Sequence, residues 1–220
     1  FHWLVPAQFN IADVCCHRWA DSTYGRHIAI YHEDDAGNRE VWTYERLGEA
    51  VNQLANGLIK MGVAPGDRVA VALGQRPETV VAHMAAYSVG AVSLPLSALF
   101  GPEAMETRLR DSEAHVAIVD SASSSAVLAA LDRCPQLQQI IGIGFADERV
   151  LPWRSLLARQ PVDFKPVETR ASDPAILLYT SGTTGAPKGC MLDHGWWLRV
   201  LDLDQLLFPR SWQDRQLCCL

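Results

Sequence analysis

Residues 175–193 read AILLYTSGTTGAPKGCMLD, and this stretch decides the fold. Ala175, Ile176, Leu177, Leu178 and Tyr179 form a short apolar run, the signature of a buried strand. From Thr180 to Gly189 the character changes to small hydroxylated residues, three glycines, a proline and one lysine. Glycine lets the backbone turn through positive φ and come close to a ligand, because no Cβ intervenes. Hydroxyls at Thr180, Ser181, Thr183 and Thr184 add donors to the free backbone N–H groups. A concavity of donors suits phosphate oxygens, and Lys188 supplies a mobile positive charge. The ligand this chemistry points to is the polyphosphate of a nucleotide.

The loop is not a Walker A motif, which places Ser or Thr directly after Gly-Lys; here Lys188 follows Pro187 and precedes Gly189. A plain Gly/Ser-rich surface turn is the competing reading. Elsewhere, Gly142-Ile143-Gly144 lacks the third glycine of a dinucleotide fingerprint and reads as a turn. Glu33, Asp34 and Asp35 lack EF-hand ligand spacing and read as a solvated turn. No His-x-x-x-His pair or nucleophile–base pair stands out, so metal and hydrolase readings find no support.

Upstream of the loop, elements alternate. A helix over residues 10–20, with Asn10 as N-cap, puts Ile11, Val14, Cys15 and Trp19 on one face. Strands at 28–32 and 40–43 flank a polar turn as a hairpin. Thr43 caps a helix over 44–61, where Leu47, Val51, Leu54 and Leu58 stack on one face until Gly62 stops it. Strands are expected at 68–73, 91–96, 115–120 and 139–143. Helices are expected from Pro77 to 87, over 102–110, from 123 to before Pro135, and over 153–159. Alternation with short connections predicts an α/β fold, a doubly wound, mostly parallel sheet with flanking helices. Residues 149–173 are proline-rich and aperiodic, the expected crossing between two sheets.

Composition fits this reading. Hydrophobic residues make up 49% and charged residues 20%, the balance of a globular chain. A formal net charge of −6 argues against a nucleic-acid or anionic-membrane surface. No apolar run reaches the ~18 residues of a membrane helix, and no signal-peptide pattern opens the chain. The six cysteines (15, 16, 134, 190, 218 and 219) include no C-x-x-C pair and read as reduced structural thiols in a cytoplasmic setting.

The order Tyr179-Thr180-Ser181-Gly182-Thr183-Thr184-Gly185-Ala186-Pro187-Lys188-Gly189 resembles the signature loop of the adenylate-forming superfamily. That superfamily includes acyl-CoA synthetases, luciferases and peptide-synthetase adenylation domains. Leu54-Ala55-Asn56-Gly57-Leu58, Gly66-Asp67-Arg68-Val69-Ala70 and 85–92 (AAYSVGAV) follow acyl-CoA synthetase order. Residues 9–12 (FNIA) and 99–104 (LFGPEA) are most similar to the medium-chain acyl-CoA and acetyl-CoA synthetase branch, and Leu99-Phe100-Gly101-Pro102 disfavours a peptide synthetase.

The resemblance implies a two-step ligase acting on a small-molecule carboxylate of any chain length, with ATP, Mg2+ and coenzyme A as reactants and cofactors and no nucleic-acid partner. It implies that Thr180, Ser181, Gly182, Thr183, Thr184, Gly185 and Lys188 hold the β- and γ-phosphates. In this reading Lys188 is also catalytic, and the Thr184 hydroxyl contacts magnesium. His194 matches a histidine that often follows the loop, with a capping or core role equally open. By the same resemblance the chain is an N-terminal part of a longer protein. Its segments are a helix–hairpin–helix at 10–62 packing on a second sheet, the parallel unit at 63–148, the crossing at 149–174, strand and loop at 175–194, and a divergent tail at 195–220. With that second sheet mostly missing, Leu47, Leu54 or Leu58 is expected beside exposed apolar surface. The competing function is a non-catalytic nucleotide-binding or interaction module.

Overall fold

The computed structural model describes residues 5–180, 185, 187–207, 211 and 214. Its centre is a seven-stranded sheet that contains β3 (Arg68–Ala72), β4 (Val92–Pro95), β5 (Val116–Asp120) and β6 (Gln139–Ile143). These four strands pair in parallel, with Val69 opposite Val116 and Ser93, and Val116 opposite Gln139. β4 lies on one side of β3 and β5 on the other, so the winding reverses between β3 and β5.

The strands obey a period of two. Val69 and Val71 enter one core with α2 (Tyr44–Lys60) and α3 (Pro77–Ser88). Ala70 and Ala72 enter the opposite core with α4 (Pro102–Asp111) and α5 (Ser124–Ala130). Both faces are covered, as continuous apolar strands require. The doubly wound α/β expectation holds.

Two features extend the sheet beyond the expected four strands. β7 (Leu151–Pro152) adds a short parallel edge beside β6, followed by α6 (Trp153–Leu157). β8 (Pro174–Thr180) pairs in parallel with β4, and β9 (Lys188–Asp193) folds back antiparallel on β8. Residues 149–173 therefore cross over within one sheet and do not lead to a second.

The helix over 44–60 also departs from expectation. Leu47 is 3% exposed, and Leu54 and Leu58 are fully buried. α2 docks on α3 and on the seven-stranded sheet, sharing a core with Val71 and Ile118. The leucine stripe has its partner inside this chain, and no second sheet is needed to cover it.

At the N-terminal side, β1 (Ile28–Glu33) and β2 (Arg39–Thr43) form the expected hairpin as a separate two-stranded sheet. Before it, Asp13–His17 is a π-helical turn leading into α1 (Arg18–Ala20). The wider turn buries residues five apart, Ile11 with Cys16 and Ala12 with His17. Cys15, expected on the packed face, is exposed, and burial pushes the Cys16 thiol up to about 12. The Asn10 carboxamide accepts from the Ala12 N–H at 2.9 Å, close to the capping role expected of it.

Candidate active site

Of the residues singled out in the sequence, Thr180, Gly185 and Lys188 are described, and they lie at the mouth of the β8–β9 hairpin. Thr180 ends β8 and stands opposite Lys188, the first residue of β9. Both are exposed, and Lys188 forms no ion pair with any described residue. Gly185 is exposed with φ of +133°, a conformation open to glycine and costly for a residue with a Cβ. Ser181, Gly182, Thr183 and Thr184 lie outside the described residues.

One boundary moves. The sequence leads to a turn running as far as Cys190, whereas the strand ladder already includes Lys188 and Gly189. Packing at the hairpin base is close. A Cβ on Gly189 would stand 3.0 Å from Leu177 Cδ1 and 3.5 Å from the Tyr179 ring. The close contact is with Leu177, on the same face two residues before Tyr179; the distance to the Tyr179 ring is an ordinary packing distance.

Tyr179 itself is tied to α4. Its hydroxyl donates to Asp111 Oδ2 at 2.5 Å, and its ring centroid lies 5.8 Å from the Arg108 guanidinium carbon. Arg108 is only 8% exposed, stacks on Phe100 at 4.1 Å, and donates to the Ala104 carbonyl at 2.7 Å. Burial, then the Asp111 carboxylate, raises the Tyr179 hydroxyl well above its ordinary range, so it stays a donor. Sequence reasoning missed Arg108, Asp111 and the side-chain role of Tyr179. Arg108 and Asp111 sit in a charged helix whose residues look solvated, and Tyr179 reads as core.

His194 opens α7 (His194–Leu207) and is fully buried. Its Nδ1 accepts from the Ile11 N–H at 3.3 Å, and its ring meets Tyr87 edge-on at 5.9 Å. Burial holds its pKa down to about 4. Of the two roles left open, core is the one observed; the α7 cap is Asp193, whose Oδ1 accepts from the Trp196 N–H at 2.6 Å.

A second concavity, about 820 Å³, opens where the winding reverses, the usual ligand crevice of such sheets. Its lining includes Gly74, Arg76, Glu78 and Asp120 with the hairpin's Glu33 and Asp34. Glu33 is occupied by Arg39, Asp34 by the Ala36 and Asn38 N–H groups, Glu78 by Arg76, and Asp120 by the Gly74, Ala122 and Ser123 N–H groups. Among the described residues no group of three or more His, Cys, Asp or Glu side chains could hold a metal.

An exposed lysine and a positive-φ glycine thus stand on a strand–loop–strand hairpin. The family model for AMP-binding enzymes matches residues 16–220. The chain belongs to the AMP-binding enzyme family. It is 31% identical over 212 residues to the acetyl-coenzyme A synthetase of Streptomyces coelicolor, covering 89% of this chain and 33% of that protein. It is 32% identical over 204 residues to acetyl-coenzyme A synthetase 1 of Debaryomyces hansenii, covering 85% and 30%. Among solved structures, the acyl-CoA synthetase of Brucella canis superimposes with a TM-score of 0.75 at 28% identity, covering 85% of this chain and 34% of that one. The anthranilate CoA ligase AuaEII, solved with anthranoyl-AMP, shares the fold at a TM-score of 0.79 and 24% identity, covering 93% and 38%. The chain thus spans about a third of the length of the relatives it matches. Among the described residues no helix is long and apolar enough to cross a membrane.

Proposed function

We propose that this chain carries the polyphosphate-binding hairpin of an AMP-forming acyl-CoA synthetase working on a small carboxylate in the cytoplasm. The observation that carries the reading is the exposed Lys188, unpaired among the described residues and set opposite Thr180 at the hairpin mouth. A cation left without a carboxylate beside a donor-rich loop is available to an anion. In the first step a carboxylate oxygen bonds to the α-phosphorus of ATP, and the bond to the bridging oxygen breaks to release pyrophosphate. In the second, the coenzyme A thiolate attacks the acyl carbon and AMP leaves. Negative charge gathers on the departing pyrophosphate. Lys188 and the N–H and hydroxyl donors of Thr180, Ser181, Gly182, Thr183, Thr184 and Gly185 are the groups that stabilise it in this reading. Magnesium would add positive charge at the same phosphates, with the Thr184 hydroxyl as its protein contact.

Charge-assisted contacts of this kind contribute about 1.5–3 kcal/mol, so Lys188→Ala should weaken ATP binding roughly 10- to 150-fold. Titration calorimetry with ATP on both proteins measures it, and unchanged affinity removes Lys188 from the site. Pyrophosphate exchange with short carboxylates then separates the two function classes. Exchange supports the ligase, whereas ATP affinity without exchange supports a non-catalytic nucleotide-binding module.

A further inference from the structure

We propose that Tyr179, gripped by Asp111 and Arg108 of α4, is a positioning residue that sets Lys188 for polyphosphate binding. This rests on the reading of Thr180 to Lys188 as a polyphosphate loop. Tyr179 is the last residue before Thr180, and in the hairpin it stands opposite Gly189, next to Lys188. The tyrosine ring packs over that glycine, 3.5 Å from where a Cβ would stand. The hydroxyl reaches Asp111 Oδ2 at 2.5 Å, and the ring borders the Arg108 cation, itself stacked on Phe100. The hairpin base is thereby fastened to α4 by a short hydrogen bond at one end and a buried cation along the ring.

The exposure of β9 gives the fastening a purpose. Lys188, Gly189, Cys190 and Met191 are all exposed, so packing of their own side chains does little to fix the strand. Its position comes from the β8 ladder and from the Tyr179 ring above Gly189. Freeing that ring lets the hairpin mouth move, and Lys188 spends less time where a phosphate is bound. Arg108 matters by shape as well as charge. Its guanidinium fills the space between Phe100 and Tyr179, and its Nε has no partner among the described residues. It therefore acts as a flat wall for the rings and is not consumed by an ion pair.

The sign of one substitution distinguishes positioning from simple electrostatics. Asp111 is an acid near an anion site, so on charge alone Asp111→Asn should tighten anion binding. Positioning predicts the opposite, because the amide holds the Tyr179 hydroxyl less firmly than the carboxylate does.

The test is calorimetric titration of inorganic tripolyphosphate into wild type, Tyr179→Phe, Asp111→Asn and the double variant. The same Tyr179→Phe change is also made on a Lys188→Ala background. Each single variant should lose about five- to tenfold in affinity, the worth of one hydrogen bond, and the double variant no more than either. On the Lys188→Ala background Tyr179→Phe should lose nothing further, which a general loosening of the fold would not reproduce. Wild-type affinity in Tyr179→Phe, tighter binding in Asp111→Asn, or an undiminished loss on the Lys188→Ala background overturns the inference alone. Wild type that does not bind tripolyphosphate overturns the polyphosphate reading and this inference together.

Discussion

At the scale of single residues, burial withholds protons from three histidines. His17 is lowered, and His83 and His194 are each held down to about 4, in every case chiefly because burial penalises the charged ring. His83 Nδ1 lies 2.6 Å from the Ser93 hydroxyl and His17 Nε2 lies 2.8 Å from that of Ser88, neutral contacts that replace water. A histidine whose folded pKa is depressed takes up its proton first in the unfolded state. Stability is then complete above about pH 6.5 and falls as the pH drops towards about 4, where the folded protein also accepts the proton. Two such groups give a slope of roughly 2 to 3 kcal/mol per pH unit at its steepest. Urea midpoints between pH 7.5 and 4.5 measure this, and His83→Gln with His194→Gln should flatten the profile. The exposure of Lys188 and the positive φ of Gly185 were legible in the sequence, because they follow from residue type and spacing. The tie between Tyr179 and Asp111 was not, because it joins side chains 68 residues apart.

Among the elements, α2 shows what local pattern does and does not reveal. Its start was readable: Thr43 accepts from the Arg46 N–H at 3.2 Å, as an N-cap does. Thr43→Ala should cost about 1 kcal/mol. Its apolar stripe was readable too, from the spacing of Leu47, Val51, Leu54 and Leu58. What covers the stripe was not, since periodicity marks a face without naming its neighbour. Because that neighbour is α3 and the sheet, Leu58→Ala should cost about 2–5 kcal/mol, the range for a cavity in a closed core. Chemical denaturation of both variants gives the ratio, and a Leu58→Ala loss no larger than that of Thr43→Ala would mean the core yields around it. The π turn at Asp13–His17 had no sequence signal, because one residue inserted into a helical turn leaves a normal composition. The antiparallel return of β9 was likewise hidden in a string that also reads as loop.

For the whole molecule, the two cores share the strands between them. Val69 and Ala70 are neighbours in β3 yet belong to opposite cores, so neither core can open without disturbing the other's sheet. Far-ultraviolet dichroism and tryptophan fluorescence should therefore report one coincident unfolding transition at neutral pH. Separated midpoints would show that the faces melt independently. The crossing segment adds long-range ties. The side chains of Asn52 and Asn56 in α2 donate to the Val162 and Asp163 carbonyls. Phe9 N–H donates to the Thr169 carbonyl at 3.0 Å, and the Thr169 hydroxyl donates to the Phe9 carbonyl at 2.8 Å. Those last two bonds join residues separated by 160 positions. On a ribosome adding ~5–20 residues per second, Phe9 then waits roughly 8 to 32 s for its partner to be made. Through that interval the apolar segment around Ile11 lacks its neighbours Ala171 and Ala175, a window in which the nascent chain offers a binding site to chaperones.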